Sequence, residues 1–231
     1  MKTIGLIGGM SWESSVEYYR IINQTTKEQL GGLHSAPIVM YSVEFDEIVK
    51  LQHEGKWDEL TAIMMDAAQR LERAGAELIV ICTNTMHKMA AEVENATALP
   101  LLHIADATAV QIKAKQLKTV ALLGTKFTME QDFYKGRLAE KHGLNVIIPT
   151  TEDREIVHSI IYNELCQGTI LESSKNEYLR IIQDLVNRGA EGIILGCTEI
   201  PLLVKQTDVA VPIFDTTTIH AQEAVRMALS I

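Results

Sequence analysis

The chain repeats itself, and this repeat limits its fold more than any other feature of the sequence. "GAELIVICTNTMH", from Gly75 to His87, returns as "GAEGIILGCTEIP", from Gly189 to Pro201. "KTIGLIGGMSW" from Lys2 returns as "KTVALLGTKFT" from Lys118, and "LPLLHIADATA" from Leu99 as "VPIFDTTTIHA" from Val211. The offsets are 118 − 2 = 116, 197 − 83 = 114 and 211 − 99 = 112, so three matches keep their order and a nearly constant spacing. Two homologous halves follow, 1–115 and 116–231. At the centre of the repeated passage, Thr83 in the first half stands where the second half has Cys197.

Each half alternates strand and helix patterns. "TIGLIGG", "PIVMYSVEF" and "AELIVIC" are short apolar strands. Between them "SWESSVEYYRIINQTTKEQL", with Ser11 as N-cap, and "WDELTAIMMDAAQRLERAG", ending at Gly75, carry helical spacing. The second half runs "TVALLG", "MEQDFYKGRLAEKHG", "LNVII", a long helical stretch, "AEGIILG" and "VPIF". The expected class is α/β, with mostly parallel four-stranded sheets flanked by helices. Ligands of such sheets bind beyond the carboxyl ends of the strands. That edge carries "GGMS" and "TNT" in the first half, "GTKFT" and "CTE" in the second.

Composition narrows the functions. Hydrophobic residues make up 47% of the chain, enough for a well-buried core. The net charge of −9 disfavours nucleic acid, which needs a basic face. No apolar run approaches the ~20 residues of a membrane span, and "MKTIGLIGGMSWESS" lacks a signal-peptide layout, so a cytoplasmic protein with no membrane partner is expected. Three cysteines, Cys82, Cys166 and Cys197, with no CxxC or HExxH spacing argue against both a disulfide framework and a zinc site. "GLIGG" lacks the full GxGxxG of a dinucleotide site, and no pyridoxal-phosphate signature is recognisable. No cofactor and no metal are expected.

"GLIGGMSW", "LGGLHSAPI", "TNTMHK" and "LGCTEIP" together resemble the cofactor-independent aspartate/glutamate racemase family, along essentially the whole chain. The resemblance implies two pseudo-symmetric α/β domains with the active site in the cleft between them. It also implies a C-terminal helix crossing back onto the first domain, and a homodimer. The domains would then be 1–98 plus 213–231, and 99–212. The family's two catalytic cysteines fall at Thr83 and Cys197, so one thiol is absent. Cys82 comes one position early and, on alternating strand geometry, points to the other face of the sheet. Met10, Asn84, Thr85, Thr125, Thr198 and Glu199 match substrate-binding or neighbouring positions. Gln52 stands where some members have an arginine, and Cys166 where some have a lysine, which departs from a strictly acidic substrate.

The chemistry implied is removal of the Cα proton of an amino acid on one face and its return on the other. A thiolate is a suitable base once its pKa is lowered from ~8.5. The "GCTE" turn, between a strand and a helix start, is expected to favour that thiolate. Met10, Ser11 and Thr125 would stabilise the developing negative charge. Cys197 is then the essential acid/base and Thr83 its altered partner. His87 is expected to be structural or solvent-facing, with assistance in proton transfer as the lesser alternative, Cys82 and Cys166 structural, and Glu199 a helix-start carboxylate or an orienter of Cys197. Two alternatives remain: a single-cysteine decarboxylase of the same superfamily, or a degenerate protein that binds an amino acid without turning it over.

Overall fold

The computed structural model describes residues 1–230. The chain forms two compact units, Met1–Ile104 with the stretch from His220 onward, and Ala105–Ile219. The first contains β1 (Ile4–Gly8), α1 (Trp12–Leu30), β2 (Ile38–Ser42), α2 (Phe45–His53), α3 (Trp57–Arg73), β3 (Leu78–Ile81), a 3-10 turn at Thr85–Met89, α4 (Ala90–Asn95) and β4 (Leu101–Leu102). After α5 (Ile104–Ala114) come β5 (Thr119–Gly124), α6 (Lys126–Glu130), α7 (Asp132–His142), β6 (Asn145–Ile147) and α8 (Thr151–Asn163). A 3-10 turn at Leu165–Gln167, α9 (Glu172–Asn187), β7 (Ile193–Gly196), α10 (Ile200–Leu203), a 3-10 turn at Gln206–Asp208, β8 (Ile213–Asp215) and α11 (Thr216–Leu229) complete the chain.

Each unit has one four-stranded parallel sheet, ordered β2-β1-β3-β4 in the first and β6-β5-β7-β8 in the second. The same order twice is the repeat made visible. The sheets also correct the expected domain limits. β4 pairs with β3 and β8 with β7, so 99–104 belongs to the first unit and 213–219 to the second. A strand stays with the ladder that satisfies its backbone groups.

The central strands are apolar throughout because both of their faces are covered. In the first unit Ile7, Ile79 and Ile81 pack with Leu60, Met64 and Leu71 of α3. The intervening residues Leu6, Leu78, Val80 and Cys82 pack with Tyr18 and Ile22 of α1 and with Ala221, Ala224 and Val225 of α11. This period of two sends Cys82 to the α1/α11 face, as strand alternation requires. Helix α3 buries Leu60, Met64, Ala67, Ala68 and Leu71, a single face at helical spacing. Ser11 caps α1 by accepting the Ser14 N–H. Two local expectations change. "MEQDFYKGRLAEKHG" is not one helix, because Gln131 is extended (φ −85°, ψ 152°) and separates α6 from α7. Helix α2, capped by the Glu44 side chain on the Glu47 N–H, follows β2 where no helix was expected. Among the described residues no helix is long and apolar enough to cross a membrane.

Candidate active site

In the first unit the residues singled out from sequence gather at the carboxyl edge of the sheet. Past β1 the chain turns at Gly9, whose φ of +92° and close approach to Val43 (2.2 Å from a would-be Cβ to its carbonyl oxygen) exclude any side chain. The Gly9 N–H donates to Ser15 Oγ (2.7 Å), and the Ser15 hydroxyl donates to the Ser11 carbonyl (3.1 Å). The Ser14 hydroxyl donates to the Cys82 carbonyl (2.9 Å). The start of α1 is thereby tied to the end of β3, which sets Met10 and Ser11, both buried, beside the turn that begins at Thr83. Thr83 is half-buried, and Asn84 and Thr85 are buried in that turn. Asn84 makes no side-chain cap, so helix capping does not explain it. Gln52, buried on α2, donates from Nε2 to Met86 Sδ in the same turn (3.3 Å).

His87 closes this turn. It is buried at 2% exposure, which overturns the solvent-facing alternative. Its Nδ1 lies 2.8 Å from the Thr83 carbonyl, and its Nε2 accepts the Ile104 N–H at 3.2 Å. The ring stands 4.7 Å from that of His103 and 5.5 Å from that of His220, centroid to centroid. His220 in turn lies 2.8 Å from the Tyr18 hydroxyl through Nδ1 and 2.9 Å from the Leu102 carbonyl through Nε2. Burial, with His87 adding to it, pushes the His220 pKa down to about 3, so the imidazole is neutral.

In the second unit β5 and β7 run side by side to Gly124 and Gly196, which pair in register. A Cβ on Gly124 would lie 2.8 Å from the Gly196 carbonyl oxygen, so the two strand ends approach each other as only glycines can. Thr125 and Cys197 therefore leave neighbouring strands at one level. The Thr125 side chain caps α6 by accepting the Thr128 N–H. The Cys197 thiol donates to Glu199 Oε2 (3.0 Å), and the Thr198 hydroxyl donates to the same oxygen (2.6 Å). Glu199 precedes α10 without capping it.

The electrostatics here differ from those expected. Helix α10 is a single turn, too short to build a useful dipole. Cys197 is 8% exposed; burial first, then the neighbouring Glu199 and Cys166, push its thiol well above the ordinary value. The resting group is the thiol, hydrogen-bonded to a carboxylate, rather than a standing thiolate. Cys82 is also held protonated, by burial alone. Cys166 lies in the 3-10 turn at Leu165–Gln167, packs against the core that contains Cys197, and acts electrostatically on it. The carboxylate partner of Cys197 has a visible trace in the sequence, an acidic residue two positions after the cysteine. The His87 contacts have none, since they are made to backbone atoms.

Two parallel-sheet units of one strand order, with polar side chains and a carboxylate-bonded cysteine beyond their strand ends, place the chain among the α/β proteins built by internal duplication. Within that class it belongs to the Asp/Glu/hydantoin racemase family, whose profile matches residues 7–224. It is similar to a crystal structure from Yersinia pestis described provisionally as an Asp/Glu racemase, with 59% identity, all of both chains covered and a TM-score of 0.94. An aspartate racemase homologue from Pyrococcus horikoshii OT3 is 38% identical over all of both chains, with a TM-score of 0.86. Among sequences, the broad specificity amino-acid racemase RacX of Bacillus subtilis is 24% identical over 180 residues, which is 75% of this chain and 74% of that protein.

Proposed function

We propose that this protein is a cofactor-independent amino-acid racemase in which Cys197 is the essential acid/base and Glu199 its proton acceptor. The observation that carries the reading is the buried S–H donating to a carboxylate oxygen at 3.0 Å. As substrate arrives, the S–H proton passes to Glu199 and the thiolate takes the Cα proton. The resulting negative charge spreads into the substrate carboxylate. Donors around Met10, Asn84, Thr85, Thr125 and Thr198 stabilise it. The water held by Thr83, the counterpart that the internal repeat pairs with Cys197, returns a proton on the opposite face to give the enantiomer, and the hydroxide left behind is neutralised by the proton that Glu199 releases to solvent, which restores the Cys197 S–H and the Glu199 carboxylate. No atom is gained or lost in the cycle.

The substrate is aspartate, glutamate or a related amino acid. Gln52 and Cys166, both uncharged, suit a breadth beyond acidic side chains, in line with the broad specificity for which RacX is named. The working form is a cytoplasmic homodimer. The deciding experiment incubates the protein with single L- and D-amino acids in deuterated water, followed by NMR and optical rotation. Cα exchange with inversion is the expected result. Exchange without inversion leaves half of the proposed chemistry, and binding by calorimetry without exchange refutes the reading.

A further inference from the structure

The turn that carries Thr83 is held by a histidine whose two ring nitrogens are both committed to backbone. The Thr83 carbonyl can only accept and the Ile104 N–H can only donate, so the neutral tautomer with its proton on Nδ1 satisfies both contacts (2.8 and 3.2 Å). The alternative tautomer would oppose a lone pair to a carbonyl and an N–H to an N–H. A charged imidazole would repair only the first. Two further imidazoles pack against the ring. His103, next to β4, lies against it; His220, on α11, is fixed by Tyr18 of α1 and by the Leu102 carbonyl of β4. His87 therefore joins the turn after β3 to the chain leaving β4, within one unit.

We infer that His87 is a positioning residue: through its Nδ1–H it fixes the Thr83 peptide, and so the placement of Thr83, Asn84 and Thr85 toward substrate, without itself exchanging a proton with substrate. The repeat supports this assignment. Thr85 corresponds to Glu199 and His87 to Pro201. The second unit gives its reactive side chain a side-chain partner, whereas the first anchors the backbone beneath a hydroxyl. A hydroxyl cannot be tuned into a base at neutral pH, so its usefulness rests on where it stands, and displacements of about 1 Å in such a site cost on the order of 100-fold.

The inference rests on the racemase reading, and its test separates the two. In ¹⁵N-imidazole NMR of the substrate-free protein, His87 should show a protonated Nδ1 and an unprotonated Nε2, unchanged between pH 6 and 8. A titrating ring or the opposite tautomer overturns the inference whether or not the protein racemises anything. In turnover, His87→Asn places an amide N–H where Nδ1–H stood and should keep kcat within about threefold. His87→Gln, which reaches instead toward the Nε2 position, and His87→Ala should lose about 10- to 100-fold in kcat. The shape of the pH profile should be the same in all variants. If Asn is as damaging as Ala, or if a limb of the pH profile disappears, His87 is a proton-transfer group. If all three variants lose stability in urea while the folded protein keeps its kcat, His87 is only a core residue.

Discussion

Glu199→Gln divides two accounts of Cys197 that otherwise look alike. The carboxylate oxygen lies 3.0 Å from the sulfur. A thiolate formed there with Glu199 still charged is repelled by about 5 kcal/mol at an effective dielectric constant of 20. Glutamine keeps the size and an accepting oxygen but removes that charge. The thiol pKa must then fall, and more thiolate is present at any given pH. Alkylation of Cys197 by iodoacetamide near pH 8 should become at least about tenfold faster, since the thiolate is the nucleophile. If Glu199 were only an electrostatic neighbour, racemisation would rise in the same way.

The hydrogen bond argues for the opposite outcome. A thiolate that forms easily is a weaker base toward a carbon acid, and without the carboxylate nothing recharges the thiol when it must return a proton. Losing a positioned proton acceptor costs typically 10²- to 10⁴-fold, or about 3–5 kcal/mol in the barrier. Turnover should therefore fall by that much while alkylation accelerates. The assay pairs mass spectrometry of the alkylated Cys197 peptide with NMR of Cα exchange on one preparation. Should Glu199→Gln racemise within threefold of the parent, or should its alkylation slow, the proton-acceptor role is refuted.

Cys197→Ser should reduce turnover by about three orders of magnitude or more with the fold intact, whereas Cys82→Ala, in the α1/α11 core, should cost about 1–2 kcal/mol in urea denaturation and leave kcat unchanged. Activity should survive dialysis against a chelator; a loss restored by added metal would contradict the proposed chemistry. His220, with a pKa of about 3 in the fold against 6.5 as its ordinary value, binds its proton only in the unfolded chain between those limits. Its contribution is thus complete above pH 6.5 and declines as pH falls toward 3, by about 1.4 kcal/mol per unit. Urea midpoints at pH 7.0 and 4.5 should show a pH dependence that is about one proton shallower in His220→Gln.

The fold was legible because its signals are local and repeated. Strands "TVALLG" and "AELIVIC" are buried on both faces and read as continuous apolar runs. The Ser11 cap and the Gly75 stop bound helices whose apolar spacing was plain. Helix α2 escaped because its start signal is a glutamate, a weaker cap than Ser, Thr, Asp or Asn. The domain limits escaped because ladder partners far apart in sequence, β3 with β4 and β7 with β8, decide them. The position of Cys197 was legible from the repeat. Its protonation was not, because burial and a carboxylate at 3.0 Å outweigh one turn of helix, and neither distance nor depth is written in the order of residues.

The two repeated passages differ together rather than singly. Thr83 stands for Cys197, Thr85 for Glu199 and His87 for Pro201. In the proposed mechanism a thiol in this buried turn passes its proton to an acceptor two residues on, and Glu199, hydrogen-bonded to Cys197 at 3.0 Å, stands at that position. A sulfur placed at position 83 would find a threonine there instead. Thr83→Cys alone should therefore gain a thiol that is slow to ionise and raise inversion relative to Cα exchange only modestly. Thr83→Cys with Thr85→Glu rebuilds the pair and should exceed the single change by about tenfold or more, the low end of what a positioned base contributes. Because enantiomers have equal free energy, kcat/KM must stay equal in the two directions in every variant. The gain can appear only in the ratio of inversion to exchange and in the separate kcat values, measured from each enantiomer in deuterated water. Equal performance of the single and double variants would show that the Thr83 side draws its protons from water without help from position 85.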